Sequence, residues 1–410
     1  MVLNYVWAGF FIIAIVVALI KCFIFQDTQI FELLVSGVFD SAKTGFEISL
    51  ALTGVMTLFL GILKIGEEAG AIRLLSRIIG PFFRKLFPEI PENHPALGQM
   101  IMNFSANMLN LDNAATPFGL KAMESLQELN PSKDTASNSQ IMFLVLQTSG
   151  LTLIPINIMT YRASMGAADP SDIFMPILIS TYFATLISLI FVMIKQKINI
   201  WDRTILLWLS GLTAAIALLI GYLSTLSQQE VETFSKIYSN LILIAVIVSF
   251  IVGGLIKKID VFDTFITGAK EGFQVAVKII PYLVGMLVAI SMLRNSGVLD
   301  FFTDSLAWVI GSLGFDTQFV DALPVAIMRP LSGSGARGLM IEAMENYGPD
   351  SFLGKLVCIF QGTTDTTFYV VALYFGSVGV TKVRYAIQYG LLADFVGVVA
   401  AILMAYMFFL

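Results

Sequence analysis

Charge is what this chain has least of. Only 13% of its 410 residues are Asp, Glu, Lys or Arg, where a soluble globular chain carries about 25%. With 57% hydrophobic residues and a mean hydropathy of +0.84, the deficit excludes an ordinary soluble enzyme and predicts an all-α polytopic membrane protein. Histidine occurs once, as His94 in a polar loop beside Pro95, which argues against a histidine-based metal site; no metal ligands are expected. The two cysteines, Cys22 and Cys358, lie in apolar runs and read as small core hydrophobes, not as a disulfide framework. Net charge is −5 and no basic tract is long enough for nucleic acid. A Walker loop is missing, which argues against ATP-driven transport by this chain alone. The first apolar run has no basic residue before it and no small-x-small cleavage site, so it is expected to be a retained helix.

What is present is a series of apolar runs. Runs long enough to span lie at about 3–25, 46–65, 139–163, 172–195, 204–225, 237–256, 274–293, 351–375 and 385–409. Residues 97–128 and 318–347 differ: each has two short apolar arms around a polar, Gly- or Asn-rich centre, which predicts a re-entrant helical hairpin. The chain also repeats itself. Ala42-Lys43 with Gly45-Phe46 recurs as Ala269-Lys270 with Gly272-Phe273, Gly70 recurs as Gly297, and Ala122-Met123-Glu124 recurs as Ala343-Met344-Glu345. Gln147 lines up with Gln361. The spacing predicts two repeats, 1–200 and 236–410, joined by a spanning helix and an outer loop in 201–235.

Basic residues mark the cytoplasmic side of spanning helices. Arg73, Arg77, Arg84 and Lys85 decorate 71–87, whereas the matching 299–313 carries Asp300 and Asp304 and no base. The loop 164–172 carries Asp169 and Asp172, whereas its counterpart 376–384 carries Lys382 and Arg384. Lys195, Lys197, Arg203, Lys257 and Lys258 fall on the inner connectors and Glu230 and Glu232 on the outer one. The pattern predicts an inverted second copy, with the N-terminus inside and the C-terminus outside. Inverted repeats with interrupted helices are a recurrent plan of secondary transporters, which bind substrate near the midplane.

Four polar interruptions stand out, two per copy. They are MNFSANMLNLDNAATP (102–117), QTSGLTLIP (147–155), MRPLSGSGARG (328–338) and QGTTDTTFY (361–369). A carboxylate at the centre of a membrane helix costs about 2.5–3.5 kcal/mol on insertion scales, which makes Asp365 the first candidate for a functional group. Broken helix ends also free backbone amides and carbonyls as ligands. One half of the expected substrate site is Asn103, Ser105, Asn107, Asn110, Asn113, Thr116, Gln147, Thr148 and Ser149. The other half is Ser332, Ser334, Gln361, Thr363, Thr364, Asp365 and Thr367, with Arg329 and Arg337 placed to attract an anionic group. The competing reading is that such side chains only satisfy broken backbone and bridge helices, at about 0.6 kcal/mol each. Asp112 is expected to cap a helix arm, Asp394 to pair with a neighbour, and Lys43, Lys270 and Lys278 to snorkel from helix ends. LSGSGARG sets serines between glycines but has no histidine base in reach, so no catalytic residue is expected and the chain does not read as an enzyme.

At these residues the chain resembles known families. The stretch 67–124, with NPSKDTASN and LQTSGLTLIP, is similar to the spore maturation protein A family; 268–300, MRPLSGSGARG, YGPDSFLGKL and QGTTDTTFYVVALYFGSVG are similar to the spore maturation protein B family. Almost the whole of both copies takes part, as in a fusion of the two. Both families carry the nucleoside recognition (gate) domain shared with concentrative nucleoside transporters and the membrane part of ferrous iron transporters. The resemblance implies four elements that hold a solute and a coupling Na+ or H+ and move as an elevator past a scaffold. The nucleoside transporters' glutamate-bearing hairpin signature is absent from both tips, which leaves nucleoside-like solutes and organic acids both open.

The expectation is therefore a secondary transporter of a small polar or anionic solute in the bacterial cytoplasmic membrane, its site where the repeats meet. Its partners would be the small-molecule substrate and the lipid bilayer, with no nucleic acid and no cofactor beyond the coupling ion; a homo-oligomer is compatible with the plan. The alternative is a non-transporting membrane module that acts in spore maturation or envelope physiology through a partner. A metal-ion pathway is disfavoured by the scarcity of His, Cys and intramembrane carboxylates.

Overall fold

The computed structural model describes residues 2–91, 94–109 and 112–410, with backbone alone at 2–4, 6, 112–114, 228, 232, 278, 279 and 282. Asn110 therefore lies outside the described residues, and the side chains of Asp112, Asn113 and Lys278 are not described. The described residues form helices throughout, with a single isolated β-bridge between Thr135 and Lys382.

The first half runs α1 (Val2–Ile24), α2 (Ile30–Ala69), α3 (Ala71–Leu86), α4 (Pro95–Met108), α5 (Asp112–Leu129), α6 (Asn138–Ser149), α7 (Ile156–Ser164) and α8 (Phe174–Gln196). A single helix, α9 (Arg203–Leu223), follows. The second half repeats the order: α10 (Gln228–Ile256), α11 (Val261–Ser296), α12 (Val298–Ser312), α13 (Leu323–Met328), α14 (Gly333–Tyr347), α15 (Phe352–Thr363), α16 (Thr367–Ser377) and α17 (Ala386–Phe409). Local chemistry sets several of these boundaries. Ser137 and Gln140 form a capping box that starts α6, and the Ser351 hydroxyl accepts the Gly354 N–H at 3.0 Å to start α15. Gly70 and Gly297, at φ 91° and 81°, turn α2 into α3 and α11 into α12; a side chain there would be strained.

Among the described residues seven helical stretches are long and apolar enough to cross a membrane, one of them the interrupted Phe352–Ser377 (α15 and α16), or eight if the pair Leu283–Ser296 and Val298–Ser312, bent by 68°, counts as one span. The run 139–163, expected to span, is split between α6 and α7, each too short to cross alone. Ile12, Phe23, Leu50, Leu207, Leu218, Ile244, Phe395 and Leu403 are exposed on the outer helices, where water would be unfavourable and lipid is not. This is a multi-pass membrane protein in contact with the bilayer.

The scaffold is built on α2 and α11. Their contacts run in opposite order along the chain: Gly45 lies against Val284, Gly272 against Met56 and Thr57, and Gly268 against Leu60. The two helices are therefore antiparallel and cross at glycines. A Cβ on Gly272 would stand 2.5 Å from the Met56 carbonyl oxygen, so only glycine admits this approach. Helix α1 packs on α11, where Trp7 Nε1 donates to the Gly285 carbonyl at 2.8 Å, and α10 packs on α2 through Phe250 beside Gly66. Lys43 and Lys270, expected near helix ends, lie inside α2 and α11. Both helices extend past their apolar windows through Ala-, Lys- and Glu-bearing turns of good helix propensity, and Lys43 is exposed beside Glu47 at 3.8 Å. His94, in its polar loop beside Pro95, is half-buried and caps α4 by accepting the Ala96 N–H at 3.3 Å.

Candidate functional site

Two helix breaks meet at one point. Helix α6 stops at Ser149 and α7 starts at Ile156; α15 stops at Thr363 and α16 starts at Thr367. The Asp365 N–H donates to the Thr148 carbonyl at 2.8 Å, joining one break to the other. Each break is also tied to the turn that precedes it: the Leu153 N–H donates to the Met108 carbonyl at 2.9 Å, and the Phe368 N–H to the Pro330 carbonyl at 3.1 Å. Backbone groups released by the breaks are thus reused, once between the halves and once within each half.

A cavity of about 660 Å³ opens at this junction. Of the expected site residues it is lined by Asn107, Thr116, Gln147, Arg329, Ser332, Ser334, Arg337, Gln361, Thr364 and Asp365. These come from segments more than 250 residues apart in order and from both halves of the chain. The Asn107 amide donates to Gln147 Oε1 at 2.6 Å. Gln361 is buried; its Nε2 donates to the Gly333 carbonyl at 3.3 Å, and its Oε1 has no hydrogen-bond partner among the described residues. Asp365 is half-exposed, accepts the Thr366 N–H at 2.7 Å and stands 3.9 Å from Arg329. Arg329 also donates to Thr366 Oγ1 at 3.2 Å and to the Thr364 carbonyl. Arg337 stacks on Tyr161, 5.4 Å from the ring centre.

The other expected residues whose side chains are described do not line the cavity. Asn103 is buried and its amide holds the Ala115 carbonyl at 2.7 Å, joining α4 to α5. Ser105 meets Ser76 of α3 at 3.2 Å. Thr148, Ser149 and Thr363 turn their hydroxyls back onto the carbonyls of Val145, Leu146 and Ile359 in their own helices. Thr367 donates to Asp394 Oδ2 at 2.6 Å, the pairing expected for Asp394, which is 5% exposed. Gly390 and Gly397 flank Asp394 on α17 and let that helix press against Thr367, Thr363 and Thr364. Thr152, Asn157, Thr366, Phe368 and Tyr369 line the cavity but were not among the expected residues. Asn157 follows the helix-breaking Pro155 by two positions, a polar residue at the start of a short half-helix, and that position was its signal. Among the described residues no three His, Cys, Asp or Glu side chains come together.

Two staples hold the breaks in register. At one end, fully buried Arg162 reaches Asp172 at 2.9 Å and Asp350 at 3.2 Å and donates to the Pro349 and Asp169 carbonyls; Lys355 meets Asp172 at 3.0 Å. Burial pushes the Asp172 carboxyl above its ordinary 3.8, with Arg162 and Lys355 pulling against it. At the other end Lys382 meets Asp134 at 2.7 Å, Arg384 donates to the Ala136 carbonyl at 2.9 Å, and the Tyr385 hydroxyl donates to Asn138 at 2.9 Å. The Lys382 ammonium holds the Asp134 carboxyl below its ordinary value, and Lys382 is raised in return.

The nucleoside recognition (gate) family matches residues 49–166 and 276–381, more than half of the chain and every residue that lines the cavity. The chain belongs to that gate family. Spore maturation protein B of Bacillus subtilis is 46% identical over 164 residues, 40% of this chain and 90% of that protein. Spore maturation protein A of the same organism is 39% identical over 178 residues, 43% of this chain and 87% of that protein. Two nearly complete relatives of this size fit side by side within 410 residues, consistent with a fusion. No solved structure matches the chain. Within this gate-family chain, the two matched segments are the ones that contain the paired helix breaks and the turns tied to them.

Proposed function

We propose that the chain is a secondary transporter of a small polar or anionic solute, working by an elevator-type movement. The observation that carries this is the polar cavity where two interrupted helices meet, lined from both halves of a membrane protein. Interrupted backbone is tolerated at membrane depth where it borders such a cavity. The site residues act as a set: Asn107, Gln147 and Gln361 as amide ligands, Ser332, Ser334, Thr116 and Thr364 as hydroxyl ligands, and Arg329, Arg337 and Asp365 as the charges. The coupling ion would be Na+ or H+.

The reading includes two inverted repeats, with α4–α5 and α13–α14 as re-entrant hairpins. Support comes from the antiparallel α2 and α11 and from the staples. The loop after α7 meets the loop before α15, and the loop before α6 meets the loop after α16, which is the swap expected of halves that run oppositely. The charge pattern supports the same topology: Lys85 pairs with Asp202 at 3.2 Å on the side assigned to the cytoplasm, and Asn240 meets Asp169 at 3.1 Å on the opposite side. We place the protein in a bacterial cytoplasmic membrane with the N-terminus inside and the C-terminus outside.

Purified protein in liposomes tests the proposal. Flux of a responsive solute should fall at least about tenfold in Asp365→Ala and Gln361→Ala, each of which removes a cavity ligand. Unchanged flux in both variants would remove the assignment. A second reading is favoured by the names of the relatives, which speak of spore maturation and not of transport. In it the chain is a membrane module that acts through a partner, and cavity substitutions are tolerated while changes on the α3 face are not.

A further inference from the structure

We infer that the cavity binds an organic anion that also carries an N–H or O–H donor, with Arg337 holding the anionic group and Gln361 accepting from the donor. The inference deepens the transport reading and rests on it for what the site does, though not for what the site binds.

Two unmet demands of opposite kind border one cavity. Among the described residues three charged side chains line it: Arg329, Arg337 and Asp365. Arg329 and Asp365 stand 3.9 Å apart and offset each other. Arg337 has no hydrogen bond or ion pair among the described residues; its Nε is buried without an acceptor and its guanidinium rests on the Tyr161 ring. Stacking on a ring leaves the in-plane N–H donors of a guanidinium available. Arg337 is half-exposed on the cavity wall, so its remaining donors face the space a solute would enter, and an anion there would pair with a cation that no carboxylate among the described residues offsets. The N-terminal turn of α14 adds to this, because Ser332, Gly333 and Ser334 line the same cavity and a helix N-terminus favours negative charge. Gln361 supplies the opposite demand. It is 3% exposed, its Nε2 is engaged by Gly333, and its Oε1 is an acceptor with no donor. A neutral solute would satisfy Gln361 and leave the charge; a donor-free inorganic anion such as chloride would satisfy Arg337 and leave the amide. A hydroxy acid or an amino acid meets both.

The test is thermal stabilisation of the purified full chain by lactate, malate, aspartate and glutamate, against their uncharged amides and glycerol, with flux of the same solutes in liposomes. One or more of the acids should stabilise the wild type while the neutral compounds do not. Arg337→Gln should weaken that acid's binding about ten- to hundredfold, and Arg337→Lys less, since it keeps the charge and loses the fork. Gln361→Leu should weaken the hydroxylated or aminated acid while leaving its deoxy or deamino analogue unchanged. Stabilisation by none of the acids at millimolar concentration, equal binding of acids and amides, or unchanged acid binding in Arg337→Gln overturns the inference. If Arg337→Gln does not fold, Arg337→Lys and Gln361→Leu carry the same comparison. Arg337-dependent binding without flux leaves this inference standing and removes the transport reading; flux of neutral solutes that ignores Arg337 does the reverse.

Discussion

Replacing Arg162 by methionine should destabilise the protein by about 3 kcal/mol. The size follows from what the guanidinium touches. It is fully buried and serves Asp172 at 2.9 Å, Asp350 at 3.2 Å and two loop carbonyls. Removing one member of a buried charge cluster costs about 3–5 kcal/mol, because a desolvated partner is left without compensation. Two features place the loss at the low end: Lys355 still meets Asp172 at 3.0 Å, and Asp350, at 44% exposure, can be hydrated. Asp172→Asn should also destabilise, because it leaves the Arg162 and Lys355 cations facing a neutral amide. The triple variant Arg162→Met/Asp172→Asn/Lys355→Met should lie within about 1 kcal/mol of wild type, since exchanging a whole buried ion cluster for neutral groups is often close to neutral. Urea titration in mild detergent reads these differences, with labelling of buried Cys358 as the reporter in a Cys22→Ser background. The pH dependence gives a second check. A carboxyl raised on folding binds its proton more tightly in the folded state, so its unfavourable contribution is absent below 3.8 and full once pH exceeds the folded value. The Arg162→Met deficit should therefore be smallest near pH 4 and grow toward neutrality. Single variants within about 0.5 kcal/mol of wild type, or a triple variant as unstable as the singles, would refute the reasoning.

The remaining predictions concern packing and the exposed staple. Gly272→Ala should destabilise by about 1–3 kcal/mol, because its Cβ would stand 2.5 Å from a backbone oxygen that cannot move aside. Gly45→Ala, with contacts at 3.1 Å, should cost less, and Gly54→Ala, with nothing within 4 Å, should be neutral; thermal unfolding in detergent ranks the three. The Asp134–Lys382 bridge should contribute fully above pH 3.8, being lost as pH falls through the depressed carboxyl value, and fully below pH 10.5, being lost as pH rises through the elevated ammonium value. The stability gap between wild type and Lys382→Met, followed across pH, should be flat between those limits and close outside them. Asp394→Leu removes the acceptor of the Thr367 hydroxyl at 2.6 Å and should reduce flux more than Asp394→Asn, which keeps an acceptor there; equal flux in both would mean that the contact does not shape the break.

By itself the sequence determined the class of molecule, the helical content and the places where helices break. These depend on properties carried locally: apolar length, a proline at 155, serines that cap, glycines that recur at 70 and 297. It did not determine which polar residues face the cavity. Asn103 and Asn107 lie one helical turn apart, yet one ties α4 to α5 and the other lines the cavity beside Gln147. Thr363 and Thr364 are adjacent, yet one bonds within α15 and the other borders the open space. Only the tertiary structure decided these cases, because the facing of a short half-helix is set by its rotation against distant partners: Gln147 for Asn107, and Thr148 of the other half for the break at Asp365. The same holds for charge: Asp365 stood out as a lone carboxylate, and only folding put Arg329 beside it and left Arg337 without an anion. Hydropathy reports the transfer of each residue from water, whereas pairing depends on which groups the fold brings within hydrogen-bond distance.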